Sequence, residues 1–449
     1  MQLLGWIALC VLTAGLLRTR PLVAIILVVA LWFFVPTVGS YLLTGQRFGP
    51  WTFHAASWLI FAIFGVQLAC DPRSLMRAIG RHAYVFLVLA LVLAVSFLTT
   101  RTVQESGGVV LFVDQMVAPV VLFLLIISTG AGMPSLLPVL RTVLLVFAAI
   151  VTVVAVCQWF AQDVLFYEAG FLTQFWFNPD TQRWMGTFDQ PLALSLVLCA
   201  LMPLVAGVRS LAIAVPLIAL FISGVLISQS RVGLVVAAAG AVYAIAASRH
   251  RASTRVLALS VIGAGFIPLL ISPLGQGLLG RVADDTGSAE ARNDAYAVFL
   301  RDWSRYLITG DGIGSSYEAA DYAGLQTTFE SSILMYAVDI GIVFAVLYFG
   351  SLLTLVLVNR SRQAVPGLTL AGLVVVFVPQ TYSGLATRSV AGIVVWTIVA
   401  LVVVAAERSR ESPRVTSREV GGYRADSDGR RAVVARRVNA RVPTSWIGR

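Results

Sequence analysis

The sequence predicts an all-α protein: a polytopic transmembrane helix bundle of about thirteen spans, twelve being the alternative count, with a large extracytoplasmic loop between spans 10 and 11. Three observations predict it. Hydrophobic residues make up 58% of the 449-residue chain, charged residues only 12%, and the mean hydropathy is +0.88. A soluble domain carries roughly a quarter charged residues and cannot hide this much apolar surface from water. Apolar runs also recur along the whole chain, and about 20 such residues, rising 1.5 Å each, cross a hydrocarbon core of about 30 Å. Finally, arginines mark every second connection between the runs.

The spans fall at roughly 2–17, 22–37, 55–70, 83–99, 109–128, 142–160, 191–208, 211–227, 232–247, 256–273, 332–358, 368–382 and 390–406. One set of alternate connections carries Arg18 and Arg20; Arg73, Arg77 and Arg81; Arg141; Arg209; Arg249, Arg251 and Arg255; Arg360 and Arg362. The other set holds single arginines at Arg47, Arg101, Arg231 and Arg388. The positive-inside preference then puts the N-terminus outside and the tail in the cytoplasm of a bacterial inner membrane. Met1 is not followed by a basic region, so the first run reads as a retained helix rather than a cleaved signal. Residues 1–406 form the bundle and 407–449 a basic, disordered tail.

The net charge of +10 invites a nucleic-acid reading that its distribution defeats. All 32 basic residues are arginine, and 11 of them follow Ala406, beside only five acids. Such a tail next to a span is attracted to the anionic headgroups of membrane lipids. No nucleic-acid partner is expected. The four cysteines lie in or at the edge of apolar runs without CxxC spacing, and the three histidines are scattered at span ends. Neither a disulfide framework nor a metal site is indicated, and no cofactor is called for.

Two long segments face outward, about 161–190 and 274–331. In the second, Tyr296, Phe299, Leu300, Trp303 and Leu307 have the spacing of an amphipathic helix that Ser288 could cap. That helix should lie on the bundle or at the bilayer interface, with Arg301 and Arg305 on its polar side. Gly310-Asp311-Gly312-Ile313-Gly314 has the look of a dinucleotide loop but lacks the strand–turn–helix context, and reads as a flexible turn.

A charge in hydrocarbon costs at least about 2.5–3.5 kcal/mol on insertion scales, so intramembrane ionisable residues are the first functional candidates. Here they are Asp114, Arg231 and Asp339, with Glu330 just ahead of its helix and Arg183, Asp189 and Arg292 in the outer segments. Each has a plain structural alternative. Arg231, in Ser228-Gln229-Ser230-Arg231, is either a snorkelling helix-end arginine or a phosphate ligand with Ser230 beside it. Arg183 could pair with Asp189, and Asp114 with a neighbouring helix. Glu330 could be a first-turn acid rather than a base, and Asp339 a structural partner for Arg231 or for the helix of Asp114.

Four segments, taken in order, resemble the bacterial O-antigen ligase and polysaccharide polymerase family of integral membrane glycosyltransferases. Arg183 through Gly186-Thr187-Phe188 to Pro191 is similar to the family's arginine and Gly-Thr-Phe-x-x-Pro stretch. Ser228 to Arg231 resembles its Thr/Ser-x-Ser-Arg junction, and Arg292, Trp303 and Gly312-Ile313-Gly314 its Arg, Trp, Gly-x-Gly progression. Glu330-Ser331-x-x-Leu334 to Asp339-Ile340-Gly341 has the spacing of its His-Asn-x-x-Leu to Glu-x-Gly block. The likeness covers about 183–350. Glu330 stands where the ligases carry histidine, a departure that looks more like a polymerase branch or marks a lost activity.

The resemblance implies transfer of a glycan from a polyprenyl-diphosphate carrier to an acceptor hydroxyl outside the cytoplasm, alongside envelope polysaccharide assembly proteins. Arg183, Arg231 and Arg292 would hold the diphosphate bidentately without a metal. Glu330 would be the general base, in an inverting displacement, with Ser230, Asp339, Gly341 and Asp114 in support. A ligase using a different acceptor, a flippase or transporter of lipid-linked oligosaccharide, and an assembly scaffold are the competing expectations.

Overall fold

In hydrocarbon an apolar run must satisfy its own N–H and C=O groups, which leaves it the helix. The computed structural model describes residues 1–100, 107–174, 177, 183–272, 275–276, 280, 286–325, 328–360 and 365–411. Among these residues every regular element is helical and there is no strand. Residues 412–449, most of the expected disordered tail, lie outside the described residues. All thirteen apolar runs coincide with helix, several to the residue, as at Ala55–Cys70, Ala83–Thr99 and Leu211–Ile227.

Length separates these helices. Gly108–Gly130, Leu136–Ala161 and Ala391–Glu411 are long and apolar enough to cross a membrane. Two bent pairs raise the number to five: Pro21–Phe34 with Thr37–Thr44 at 94°, and Ala55–Cys70 with Pro72–Arg81 at 103°. Both bends follow from an X-Pro step, at Val35-Pro36 and Asp71-Pro72, where the residue before proline is driven out of helical geometry. Eight further apolar helices among the described residues have 10–17 residues. At 1.5 Å per residue they reach at most about 26 Å, just short of a hydrocarbon core. By length and composition the helices credit three to five crossings, fewer than the thirteen runs.

The centre of the bundle is the pair Gly108–Gly130 and Ala391–Glu411, the most buried of the long helices. They pack along each other, and at Gly130 the approach is so close that a Cβ would lie 2.5 Å from Val404 Cγ2. Trp396 meets Phe123 edge-on and donates from Nε1 to Tyr348 OH at 2.9 Å, so an aromatic column ties Ile342–Val358 to the same core.

Side-chain contacts sort the helix ends into two groups. In one, Arg81 and His82 meet Glu407, Arg408 donates to carbonyls of Gly130, Met133 and Pro134, and Arg410 reaches Val358 and Asn359. In the other, Thr37 meets Asp189, Arg388 meets Asp114 and Thr52, Ile313 meets Thr100, and Tyr317 meets Ala386. Helices Ala55–Cys70, Ala83–Thr99 and Ile342–Val358 run between the two groups.

Four local expectations change. The run 332–358 is broken into Ser332–Ile340 and Ile342–Val358 at Gly341, whose φ of 98° no L-residue adopts readily. The last helix continues past 406 to Glu411. The loop helix spans Thr286–Asp302, so Ser288 lies inside it rather than capping it. Its packed face is Ala291, Ala295, Val298 and Phe299, while Tyr296, Leu300, Trp303 and Leu307 are exposed. The helix does lie on the bundle, but through two alanines, Val298 and Phe299, with the rest of the large stripe exposed.

Candidate functional site

The break at Gly341 builds the floor of the site. Segment 307–316 docks on it through backbone bonds: Asp311 N to Val338 O at 3.0 Å, Gly312 N to Asp339 O at 2.8 Å, and Val343 N to Leu307 O at 3.2 Å. The approach requires glycine on both sides. A Cβ on Gly310 would lie 2.3 Å from the Asp339 carbonyl carbon, and one on Gly341 would lie 2.4 Å from Ile308 O. The Gly310–Gly314 turn is therefore pinned, where the sequence reading made it flexible. Buried Asp339 completes the joint, accepting from Ser316 N at 2.7 Å and Ser315 Oγ at 3.4 Å at the start of helix Ser315–Tyr322. Its partner is this helix start, neither Arg231 nor the helix of Asp114.

Glu330 precedes Ser331, the N-cap of Ser332–Ile340, and so is not a first-turn acid. It has φ of 46°, a left-handed backbone that costs a non-glycine residue about 1–3 kcal/mol and that collects at functional sites. Its carboxylate accepts from Arg292 Nε at 2.8 Å. Helix Thr286–Asp302 thus brings to Glu330 one of the three predicted diphosphate arginines. Both side chains keep solvent contact, at 43% exposure for Arg292 and 24% for Glu330.

Arg183 comes to the second junction, the one that Arg231 closes. Arg183 donates from Nε to Ser228 O at 3.2 Å, just ahead of the helix that Arg231 opens. The stretch after Arg183 is clamped three times. Gln158 exchanges two 2.8 Å bonds with Gly186, Thr187 donates to Phe33 O at 2.5 Å, and Asp189 accepts from Thr37 N and Oγ1, both at 2.6 Å. Asp189 is thus spent on Thr37, not on Arg183 as one reading had it. Burial pushes its carboxyl up to about 6, against the pull of those two bonds. Both junction hydroxyls have local work: Ser228 Oγ donates to Val225 O at 2.7 Å, and Ser230 caps its helix by accepting from Gly233 N at 3.1 Å. Gln229 between them has φ of 53°, the same uncommon backbone as Glu330. The two junctions share a neighbour in Val378–Thr381, which packs on both Arg231–Ala246 and Ser332–Ile340.

Asp114, itself fully buried, belongs to a separate cluster. It lies in a π-helical turn, Val113–Val117, a distortion frequent at functional positions. Arg388 grips it through Nε at 3.1 Å and Nη2 at 2.9 Å, while His54 N and Ser57 Oγ complete its shell. Sequence reasoning placed Arg388 only as an isolated outer arginine. A buried acid in an apolar run demands a cation, and Arg388 was one of four single arginines in the outer connections among which the sequence alone does not choose.

A cavity of about 1260 Å³ opens beside this cluster, lined by Arg388, Arg47, Asp189, Glu318 and Asp321 among others. A second, of about 640 Å³, lies between helices Thr286–Asp302 and Ser315–Tyr322 and reaches Phe329, the neighbour of Glu330. None of Arg183, Arg231, Arg292 or Glu330 lines either one. The predicted residues fall in two places: Arg292 with Glu330, next to Phe329 of the second cavity, and Arg183 at the junction that precedes Arg231. Neither a family model nor a curated relative matches this chain.

Proposed function

We propose that this chain is a membrane glycosyltransferase. It moves a glycan from a polyprenyl-diphosphate carrier to an acceptor sugar hydroxyl at the outer face of the bacterial cytoplasmic membrane, as a metal-independent, inverting polymerase of a cell-surface polysaccharide. The observation that carries the reading is the 2.8 Å contact between Arg292 and Glu330, with Glu330 in a strained backbone. A guanidinium engaged through Nε still has four N–H groups with which to hold a phosphate. Arg292 therefore puts a diphosphate and a carboxylate within one side chain of each other.

In the reaction, the acceptor oxygen forms a bond to the anomeric carbon as the bond from that carbon to the diphosphate oxygen breaks. Glu330 takes the hydroxyl proton. Arg292, Arg183 and Arg231 hold the departing diphosphate, whose negative charge grows as it leaves. Attack from the face opposite the leaving group inverts the anomeric configuration.

The reading includes thirteen spans, an outer N-terminus and a cytoplasmic tail. Its support is the sorting of helix ends: the group with Arg81, Arg408 and Arg410 is richer in arginine than the group with Asp114 and Asp189. Short helices cross by local thinning of the bilayer and by polar ends at the headgroups.

The test is glycan transfer by the full chain in nanodiscs, supplied with polyprenyl-diphosphate oligosaccharide and EDTA. Longer carrier-linked glycans are expected, and Glu330→Gln should cut turnover by about 10²–10⁴-fold while carrier lipid still binds. Polymer made by that variant at the wild-type rate would remove Glu330 as the base. Transfer only to another added acceptor would make the chain a ligase. Carrier translocation without transfer would make it a flippase.

A further inference from the structure

The transferase reading leaves the larger of the two cavities without a role, although charged side chains reach into it. At about 1260 Å³ it exceeds the roughly 300–1,000 Å³ of pockets that enclose drug-sized ligands. Its chemistry differs from that of the arginine junctions. Arg388 is neutralised by Asp114, and Arg47 lies over the ring of Tyr41 at 4.4 Å. Glu318 and Asp321 project into the same space, and neither forms an ion pair with a described residue. With Asp189 the carboxylates outnumber the two arginines on this lining, which disfavours a polyanion such as a diphosphate. The lining suits a ligand with many hydroxyl donors, because an ionised carboxylate is an acceptor only and binds O–H groups strongly.

The second cavity shares this wall. Glu318 and Asp321 also line the 640 Å³ space that reaches Phe329, next to Glu330. Helix Ser315–Tyr322 is thus a partition whose carboxylates serve both sides. It is held firmly: Asp339 secures its first turn, the Gly310–Gly314 turn behind it is docked on backbone, and Tyr317 OH donates to Ala386 O at 3.3 Å on the far side. Rigid walls lower the entropy lost when a flexible chain binds.

We propose that the two cavities form one oligosaccharide track, with Glu318 and Asp321 as its hydroxyl-binding residues, accepting neutral or amino-bearing glycans and refusing polyanionic ones. That the occupant is the enzyme's own growing chain rests on the transferase reading; that the track binds glycan does not.

The experiment uses the full chain in detergent on an array of neutral, amino-bearing and uronic-acid-rich bacterial oligosaccharides. Neutral or amino-bearing glycans should be retained, and the double variant E318Q/D321N should lose at least about tenfold in affinity while melting at the wild-type temperature. Both residues are exposed, so the conservative change leaves the packed bundle alone. Undiminished retention by the variant, preference for the anionic glycans, or no retention by the wild type would each overturn the proposal. Wild-type protein that retains glycan in this assay yet transfers none in nanodiscs would sink the transferase reading and leave the track standing.

Discussion

Two arginine–carboxylate pairs lie at the same end of the bundle and differ in almost every physical respect. Asp114 is fully buried and takes hydrogen bonds from four donor atoms, on Arg388, His54 and Ser57. Glu330 is partly exposed, accepts only from Arg292 Nε among the described residues, and sits on a left-handed backbone. Asp114 has its full set of donors and holds helices together, while Arg388 keeps only Nη1 without a hydrogen bond among the described residues. The second pair has unused acceptor and donor capacity, held in place by strain that the surrounding packing sustains. The difference separates what fastens this bundle from what is free to do chemistry.

That contrast can be broken or sharpened by substitution, and the largest effect belongs to the first pair. Asp114→Ala leaves the Arg388 guanidinium without its counter-charge and should cost about 3–5 kcal/mol, read as a collapse of the melting temperature or of monodisperse yield in detergent. A variant as stable as wild type would mean that the pair fastens nothing.

The next effect depends on pH. Burial raises the Asp189 carboxyl from the ordinary 3.8 to about 6. The native state then holds this proton more tightly than the unfolded chain does. The group accordingly favours the fold below about pH 4, and that advantage is lost as pH rises through about 6. The change amounts to about 2–3 kcal/mol, at about 1.4 kcal/mol per pH unit. Asp189→Asn should flatten this part of the stability profile between pH 4 and 7 in thermal melts. A slope equal to that of the wild type would place the titration elsewhere.

Gly310→Ala should cost about 1–3 kcal/mol, because its Cβ has no room against the Asp339 backbone and the docked segment must shift. Protease nicking in segment 307–316 should report the loosening. The smallest stability change should come from Glu330→Gln, within about 1 kcal/mol, since a partly exposed pair contributes little to folding. A loss comparable with that of Asp114→Ala would erase the contrast and make Glu330 a second fastener.

Much of the bundle was legible in the chain. The helical runs, the oddity of Asp114 and Glu330, and the distinct character of the Arg183 and Arg231 segments all follow from hydropathy and from the cost of charge in hydrocarbon. Pairings were legible only in part. Arg292 and Glu330 had been placed in one site, but Asp339 had been given partners that it does not have, and Arg388 had been overlooked as the mate of Asp114. The helix before Trp303 was expected against the bundle or the bilayer interface; it packs on the bundle through Ala291, Ala295, Val298 and Phe299, and Tyr296, Leu300 and Trp303 stay exposed.

By itself, then, the sequence determined the secondary structure, the apolar character and the short list of costly charges, since each of these is set by a side chain and its near neighbours. The tertiary structure decided which charges meet, where Gly310 and Gly341 allow two backbones to touch, and which carboxylates face open space. Those outcomes depend on charges brought together from as far as 326 residues apart, as Arg81 and Glu407 are. No local pattern carries that distance; only the packing of whole helices fixes it.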